Sequence, residues 1–129
     1  MIFPIIKIFF ISCLGFITTL VPFQLSSSIH SWVYVPSSKY GEQIWDKNSI
    51  QLNEDGTIRV LSKFIPKVKS EITEDIFYTM DINCFEKTFR DVSVGSEDLN
   101  VEENNYSQWK YPNGDKLILG VINGVCKIN

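Results

Sequence analysis

Alternating apolar and polar positions predict a series of short β-strands through the middle of the chain. Bulky, β-branched and aromatic residues alternate first at 31–35, and further strand-like segments follow at 43–46, 50–52, 57–65, 76–84 and 87–94. A period of two places successive side chains on opposite faces of a sheet. The Asp55-Gly56 pair between two of these segments is typical of a tight hairpin turn. Strands do not alternate with helices, which disfavours a doubly wound fold, and the pattern predicts an antiparallel sheet of about five or six short strands.

The last segment of the chain changes to a helical period. Between Asp115 and Cys126 the apolar residues are spaced three and four apart, at 117, 118, 121, 122, 125 and 126, which is typical of one buried helix stripe. Asp115 or Asn113 can cap the first turn. Gly120 and Gly124 lower the helix propensity, so we expect them where the helix lies close to the sheet. The sequence therefore predicts an α+β fold, an antiparallel sheet with one C-terminal helix packed on it.

The first 28 residues have the order of a secretory signal peptide. Lys7 supplies a positive charge, residues 8–21 are almost wholly apolar, and residues 26–28 are three serines. We therefore predict a signal peptide at 1–28 and a single domain at 29–129, exported to the periplasm, the cell surface or the medium. Two alternatives stay open. One is an uncleaved membrane anchor, although a span needs about 20 apolar residues, and the other is a lipoprotein attached through Cys13.

Removal of this leader leaves two cysteines, Cys84 and Cys126. An even number of cysteines in an exported domain favours a disulfide, and two cysteines allow only one pairing. Such a bond would tie the buried stripe of the helix to the apolar face of the strand at 76–84. Two free thiols and a shared metal ion are the alternatives.

The predicted mature domain is small and acidic. Residues 29–129 contain eleven Lys and Arg against fifteen Asp and Glu, a net charge of −4 with His30 neutral. An acidic surface repels a phosphate backbone, so we expect no nucleic-acid partner. The most acidic stretch is 95–106, which has few apolar residues and is predicted to be an exposed loop.

Several short motifs follow one another in an order that is typical of a known family. They are Trp32-Val33-Tyr34-Val35, then Asp46, Lys47, Ser49 and Ile50, a glycine turn into Arg59-Val60, Ile82-Asn83-Cys84, Trp109 before Pro112-Asn113-Gly114, and Val125-Cys126. In this arrangement the chain resembles the surface-adhesin E-like domain, found in small exported bacterial proteins. The resemblance implies an antiparallel sheet with a C-terminal helix tied to it by one disulfide, and Cys84 and Cys126 match the paired cysteines of the family. It also implies a binding role, since the adhesin is linked to host extracellular-matrix and plasma proteins.

Candidate catalytic chemistry is sparse. His30 is the only histidine, and its place at the predicted mature terminus indicates a frayed chain end rather than a rigid catalytic site. The carboxylates of Glu71, Glu74 and Asp75 lie in a polar connection, and solvation explains them better than glycosidase chemistry. We therefore expect no enzyme, no cofactor and no metal site.

Aromatic residues near the acidic stretch offer a candidate binding surface. Trp109 and Tyr111 follow it directly, and aromatic side chains dominate binding hot spots. The hypothesis is an exported, non-enzymatic domain that binds an unidentified protein or surface component. The alternative is a structural or accessory subunit of a periplasmic or envelope complex, paired through an exposed sheet edge. The membrane is a partner only through the N-terminal segment, if that segment is not cleaved.

Overall fold

The computed structural model describes residues 29–67 and 74–128 together with Gly15; the predicted signal peptide at 1–28 otherwise lies outside the described residues. The elements in chain order are β1 (Trp32–Tyr34), β2 (Gly41–Asp46), β3 (Gln51–Leu52), β4 (Ile58–Pro66), β5 (Ile76–Asn83), β6 (Thr88–Val94) and α1 (Lys116–Cys126). Short 3-10 turns lie at Lys47–Ser49 and Glu103–Asn105. All the predicted strands and the predicted helix are confirmed, with their ends shifted by one or two residues.

The strands form one antiparallel sheet in the order β1-β2-β4-β5-β6, and β3 pairs with β4. The turn between β3 and β4 is the predicted Asp-Gly hairpin. Gly56 has a φ of 85°, a left-handed conformation that glycine adopts without steric cost. The Asn53 amide donates to the Thr57 carbonyl over 2.9 Å and closes the turn. The α+β prediction is therefore confirmed.

One irregularity interrupts the pairing of β5 with β6. Thr79 lies opposite Ser93, whereas the next residue, Met80, lies opposite Asp91, so Val92 has no partner across the strands. This is the geometry of a β-bulge, which shifts the alternation of side chains along β6. Val92 is nevertheless buried, at 2 % exposure.

The core lies between α1 and one side of the sheet, which we call the helix face. Its fully buried apolar residues include Val60, Met80 and Ile82 of the strands and Val121 and Ile122 of the helix. Burial of each such side chain stabilises the fold by about 1.5–3 kcal/mol. Apolar packing on this face therefore holds the helix against the sheet.

Two glycines bring α1 close to the sheet, as predicted. A Cβ atom on Gly120 would lie 2.9 Å from the Cβ of Val35, and one on Gly124 would lie 3.0 Å from Nε1 of Trp45. The start of the helix is also as predicted, because Asp115 Oδ1 accepts from the amides of Leu117 (3.0 Å) and Ile118 (3.1 Å). A carboxylate at this position satisfies amides that have no partner within the helix.

The disulfide joins the two cysteines named above. Cys84 and Cys126 are bonded at an S–S distance of 2.06 Å and a Cα–Cα distance of 5.6 Å. Cys84 directly follows β5 and Cys126 ends α1, so the bond ties the last turn of the helix to the sheet. The alternatives of free thiols and of a metal ion shared by the two cysteines are thereby excluded.

The opposite side of the sheet is covered by residues 95–106, and we call it the loop face. Thr79 Oγ1 donates to the Asp98 carbonyl over 3.0 Å. Leu61, Thr79 and Asp81 of this face are buried. Within the part of the chain that the structure describes, no helix is long and apolar enough to span a bilayer.

Candidate binding surface

A buried carboxylate organises the loop face. Asp81 of β5 is 0 % exposed, and the register places Arg59 of β4 and Arg90 of β6 directly opposite it on either side. Arg59 donates through Nε to Oδ1 (2.8 Å) and through Nη2 to Oδ2 (3.1 Å), a bidentate pair. Arg90 donates through Nε to Oδ2 over 3.0 Å, and Asn53 Nδ2 donates to Oδ1 over 3.1 Å. Three residues, from two neighbouring strands and the hairpin turn, thus converge on one carboxylate, as is typical of a buried charge that is fully hydrogen-bonded.

The electrostatics of this cluster favour its charged form. Burial raises the pKa of Asp81, but the hydrogen bonds from Arg59, Asn53 and Arg90 together lower it by more. The pKa of Asp81 therefore lies below its ordinary value of 3.8. The hydrogen bond to Asp81 in turn raises the pKa of Arg59, against its partial burial. Two guanidinium groups against one carboxylate leave an excess positive charge at this point of an otherwise acidic domain.

Aromatic rings cover that excess charge. The guanidinium carbon of Arg90 lies 4.7 Å from the ring centre of Tyr106 and 4.6 Å from that of Trp109. The guanidinium carbon of Arg59 lies 5.1 Å from the ring centre of Tyr106. Such cation–π contacts contribute about 0.5–1 kcal/mol each at partly exposed sites. Both arginines therefore hold aromatic side chains on the loop face.

The same arginines fix the acidic stretch. Arg59 donates to the Leu99 carbonyl (2.9 Å) and to the Tyr106 hydroxyl (2.9 Å), and that hydroxyl donates to the Val101 carbonyl (2.8 Å). The acidic residues of this stretch, Glu97, Asp98, Glu102 and Glu103, are exposed as predicted. The stretch is a loop, and Arg59 anchors its backbone at Leu99, while both arginines contact the Tyr106 ring.

Trp109 lies at the rim of this cluster. Lys110 exchanges backbone hydrogen bonds with Phe89 of β6 at 2.8 and 3.0 Å, and the Ser107 amide donates to the Asp91 carbonyl at 2.8 Å. Residues 107–110 thus continue the sheet beyond β6 and present Trp109 against Arg90 with 38 % of its surface exposed. Tyr111 is 62 % exposed. We call Trp109, Tyr111 and the supporting Arg90 the Trp109 surface.

His30 is better ordered than the predicted frayed terminus, and that interpretation was wrong. Its Nδ1 lies 2.7 Å from Oδ2 of Asp46, and its ring stacks on Trp32 with 5.0 Å between ring centres. Asp46 also accepts from the Ser31 amide (2.8 Å). Burial raises the pKa of Asp46, whereas its hydrogen bonds from His30, Ser31 and Asn48 lower it, and the net pKa is lowered. The carboxylate therefore fixes the first residues of the described domain.

The other predicted chemistry stays scattered. Glu71 lies outside the described residues, Glu74 is exposed, and Asp75 Oδ2 lies 3.8 Å from Nζ of Lys63. Among residues 29–67 and 74–128, no three His, Cys, Asp or Glu side chains are arranged to hold a metal ion.

The helix face carries an open groove where α1 does not cover the sheet. It has a volume of about 1270 Å³ and lies between the start of α1, the connection 37–40 and the side chains of Tyr78 and Asp91 on the sheet. Tyr78 is partly buried, and this burial, together with the negative charges of Asp91 and Asp115, raises the pKa of its hydroxyl. We call this cavity the helix-side groove.

Comparison with known families identifies the kind of protein. The sequence model of the surface adhesin-E family matches residues 33–129 of the 129-residue chain. The chain belongs to the surface adhesin-E family. The resemblance noted in the sequence is therefore confirmed. No curated protein and no solved structure matches the chain at a significant level.

Membership of the adhesin-E family gives the structure a functional setting. A surface adhesin family and a disulfide together indicate an exported or surface-associated protein. The adhesin family also suggests a binding role. The sequence pointed to Trp109 in this adhesin-E domain, but it gave no reason to connect Trp109 with Asp81, which lies 28 positions earlier in the chain and opposite Arg90.

Proposed function

We propose that this adhesin-E domain is an exported, non-enzymatic module that binds a protein or surface component through the Trp109 surface. The observation that supports the proposal is the way Trp109 is presented. Its ring is held on Arg90, which is fixed by the fully buried Asp81, while 38 % of the residue stays exposed. Trp and Arg are the residues most enriched in binding hot spots. A rotamer fixed before binding also loses little entropy in the complex.

The test compares matched tyrosine and tryptophan variants of the exported protein. Envelope extracts and soluble surface proteins are passed over the immobilised wild type and over Trp109→Ala, Tyr111→Ala and Tyr34→Ala. Tyr34 is the control, since it is 68 % exposed on the opposite edge strand. The proposal requires a partner whose Kd rises about thirtyfold for Trp109→Ala, equivalent to about 2 kcal/mol, and is unchanged for Tyr34→Ala. Equal binding by all four proteins would contradict it.

The cellular location of the protein is part of the same proposal. We infer that residues 1–28 are removed on export and that the domain acts in the periplasm or at the cell surface. Cell fractionation with mass spectrometry of the mature N-terminus tests both points together. A terminus near Ile29 supports cleavage, whereas a retained Met1 supports an anchor, and a lipid on Cys13 supports a lipoprotein.

A second candidate function rests on the edge strand β1. The Ser31 carbonyl accepts from the Lys47 amide and the Val35 amide donates to the Gln43 carbonyl, so the alternation of an antiparallel ladder turns the N–H and C=O groups of Trp32 and Tyr34 outward. In the described part of the chain no strand pairs with that side. A partner strand could add there, as in a structural subunit of an envelope complex.

A proline substitution separates the two candidates. Tyr34→Pro removes an outward N–H, so it should abolish a large native assembly while leaving the fold intact, whereas Val33→Pro breaks the pairing with Trp45 and should destabilise the sheet. A monomer in native extracts would contradict the structural-subunit function and leave the Trp109 surface as the binding site.

A further inference from the structure

The helix-side groove is built before any ligand is present. Its floor is the uncovered part of the sheet, where Phe64 and Tyr78 lie on adjacent strands and Gln43 lies opposite Phe64. Gln43 is only 3 % exposed, and its Nε2 donates to Oγ of Ser62. The floor is therefore fixed by the β-ladder and by a buried side-chain hydrogen bond.

One wall of the groove is held against this floor by a glycine. Gly41 has a φ of 156°, and a Cβ at this position would lie 2.3 Å from the Ile65 carbonyl oxygen and 2.9 Å from the Phe64 ring. The Ser38 amide donates to the Gly41 carbonyl over 3.0 Å, and the Lys67 amide donates to the Tyr40 carbonyl over 3.1 Å. These contacts keep the connection 37–40 in one position.

Positive charge is concentrated at this groove. Four lysines line it, namely Lys39, Lys67, Lys110 and Lys116, against the two carboxylates Asp91 and Asp115. Lys110 Nζ lies 3.2 Å from Asp91, and Asp115 caps the helix. The predicted mature domain as a whole has a net charge of −4, so a cationic groove on it is a local exception that favours an anionic ligand.

The remaining lining favours a sugar rather than an isolated ion. Tyr40 stands at the groove with 67 % exposure, and the half-buried Tyr78 presents a hydroxyl next to the carboxylates. Aromatic faces attract polarised C–H groups, and amide, carboxylate and hydroxyl groups match the donors and acceptors of sugar hydroxyls. The volume of about 1270 Å³ exceeds the about 300–1,000 Å³ that is typical of a drug-sized ligand. An oligomeric ligand is therefore the better fit.

We propose that the helix-side groove binds an anionic glycan, with Lys39 and Lys116 pairing with its carboxylate or sulfate groups and Tyr40 packing against a sugar ring. This site lies on the helix face and is separate from the Trp109 surface. An acidic peptide fits less well, because the floor is a sheet face and offers no strand edge for a backbone ladder.

The test uses the protein as cells export it and measures binding of labelled oligosaccharides by fluorescence anisotropy. The probes are a heparin hexasaccharide, an oligogalacturonate and a neutral maltohexaose, with poly-L-glutamate as the acidic peptide. The variants are Lys39→Ala/Lys116→Ala and Tyr40→Ala. The matched control is Lys47→Ala/Lys127→Ala, which removes two lysines that are also exposed but do not line the groove.

The proposal expects both anionic glycans to bind more tightly than maltohexaose. The groove double variant should weaken that binding about tenfold or more, because it removes two charge-assisted contacts, and the control double variant should leave it unchanged. Tyr40→Ala should weaken binding of the glycans but not of poly-L-glutamate. Preference for heparin would assign sulfated glycans, and preference for oligogalacturonate would assign uronate polymers.

Three results would overturn the inference. They are no binding of either anionic glycan, equal losses in the groove and control double variants, and binding of poly-L-glutamate as tight as that of the glycans with no effect of Tyr40→Ala. Unchanged thermal unfolding midpoints of all variants would show that these results do not come from loss of the fold.

Discussion

Replacing Asp81 by Asn is the most direct perturbation of the loop face. The side chain is 0 % exposed, and the side chains of Arg59 and Arg90 keep only 12 % and 16 % of their surface in solvent. The amide removes the charge that both guanidinium groups share and turns one acceptor into a donor facing their N–H groups. Breaking a buried ion pair from one side costs about 3–5 kcal/mol. Because both arginines keep some contact with water, we expect about 3 kcal/mol of lost stability at neutral pH.

The pH dependence of this loss checks its cause. The folded-state pKa of Asp81 is below its ordinary value of 3.8, so its contribution is fully present above that value and is lost as the pH falls through the lower, folded-state pKa. The stability gap between wild type and Asp81→Asn should therefore be constant from about pH 7 to pH 5 and should shrink as the pH falls below about 4.

Guanidinium chloride unfolding followed by tryptophan fluorescence measures this gap. Glu102→Gln is the matched control, because it removes one negative charge from the exposed loop on the same face and should change stability by less than about 0.5 kcal/mol. The reasoning fails if Asp81→Asn is as stable as the wild type at neutral pH. It also fails if the gap keeps its full size in acid.

Two further predictions concern the attachment of the helix. The Cys84–Cys126 bond closes a loop with a sequence separation of 42, so reduction should lower the free energy of unfolding by about 4 kcal/mol on the chain-entropy model; equal unfolding curves with and without dithiothreitol would contradict this. Gly120→Ala gains about 1 kcal/mol of helix propensity but places a Cβ 2.9 Å from that of Val35, so we expect a net loss of about 1 kcal/mol or more. Asn123→Ala, on the exposed side of the helix, should be neutral or stabilising, and the opposite order of the two midpoints would refute the packing argument.

The strands, the hairpin and the helix could be predicted from the sequence because each of them has a local sequence pattern. Alternation marks the strands, Asp55-Gly56 marks the hairpin, and three-four spacing after Asp115 marks the helix. Gly120 and Gly124 were also informative, because glycine inside a helix often marks a place where another element packs closely against it. These patterns depend on neighbours within a few positions, which is why single-sequence reasoning finds them.

The loop face could not be predicted in the same way. Over 87–94 the period of two is broken, because two polar residues, Arg90 and Asp91, separate Phe89 from Val92, but such a break alone does not locate a bulge at Val92. Arg59, Asp81 and Arg90 meet only because three strands take one register, and no local pattern connects Arg59 with Asp81, which is 22 positions further along the chain. Trp109 could be named as an aromatic near an acidic loop, but its support by Arg90 is a tertiary contact. The same holds for His30, whose contact with Asp46 joins residues 16 positions apart in the chain.

The two faces of the sheet are covered in different ways, one by a helix and the other by a loop. On the helix face the helix covers the end near the disulfide and leaves the other end open as a groove. On the loop face a loop with few apolar residues is held by hydrogen bonds to Arg59 and by rings stacked on both arginines. An acidic loop cannot be retained by apolar burial, so a buried ionic cluster supplies the attachment instead. Substitution in that cluster should therefore loosen the Trp109 surface, whereas substitution of Lys39, Tyr40 and Lys116 alters only the lining of the helix-side groove, so each proposed site has variants of its own.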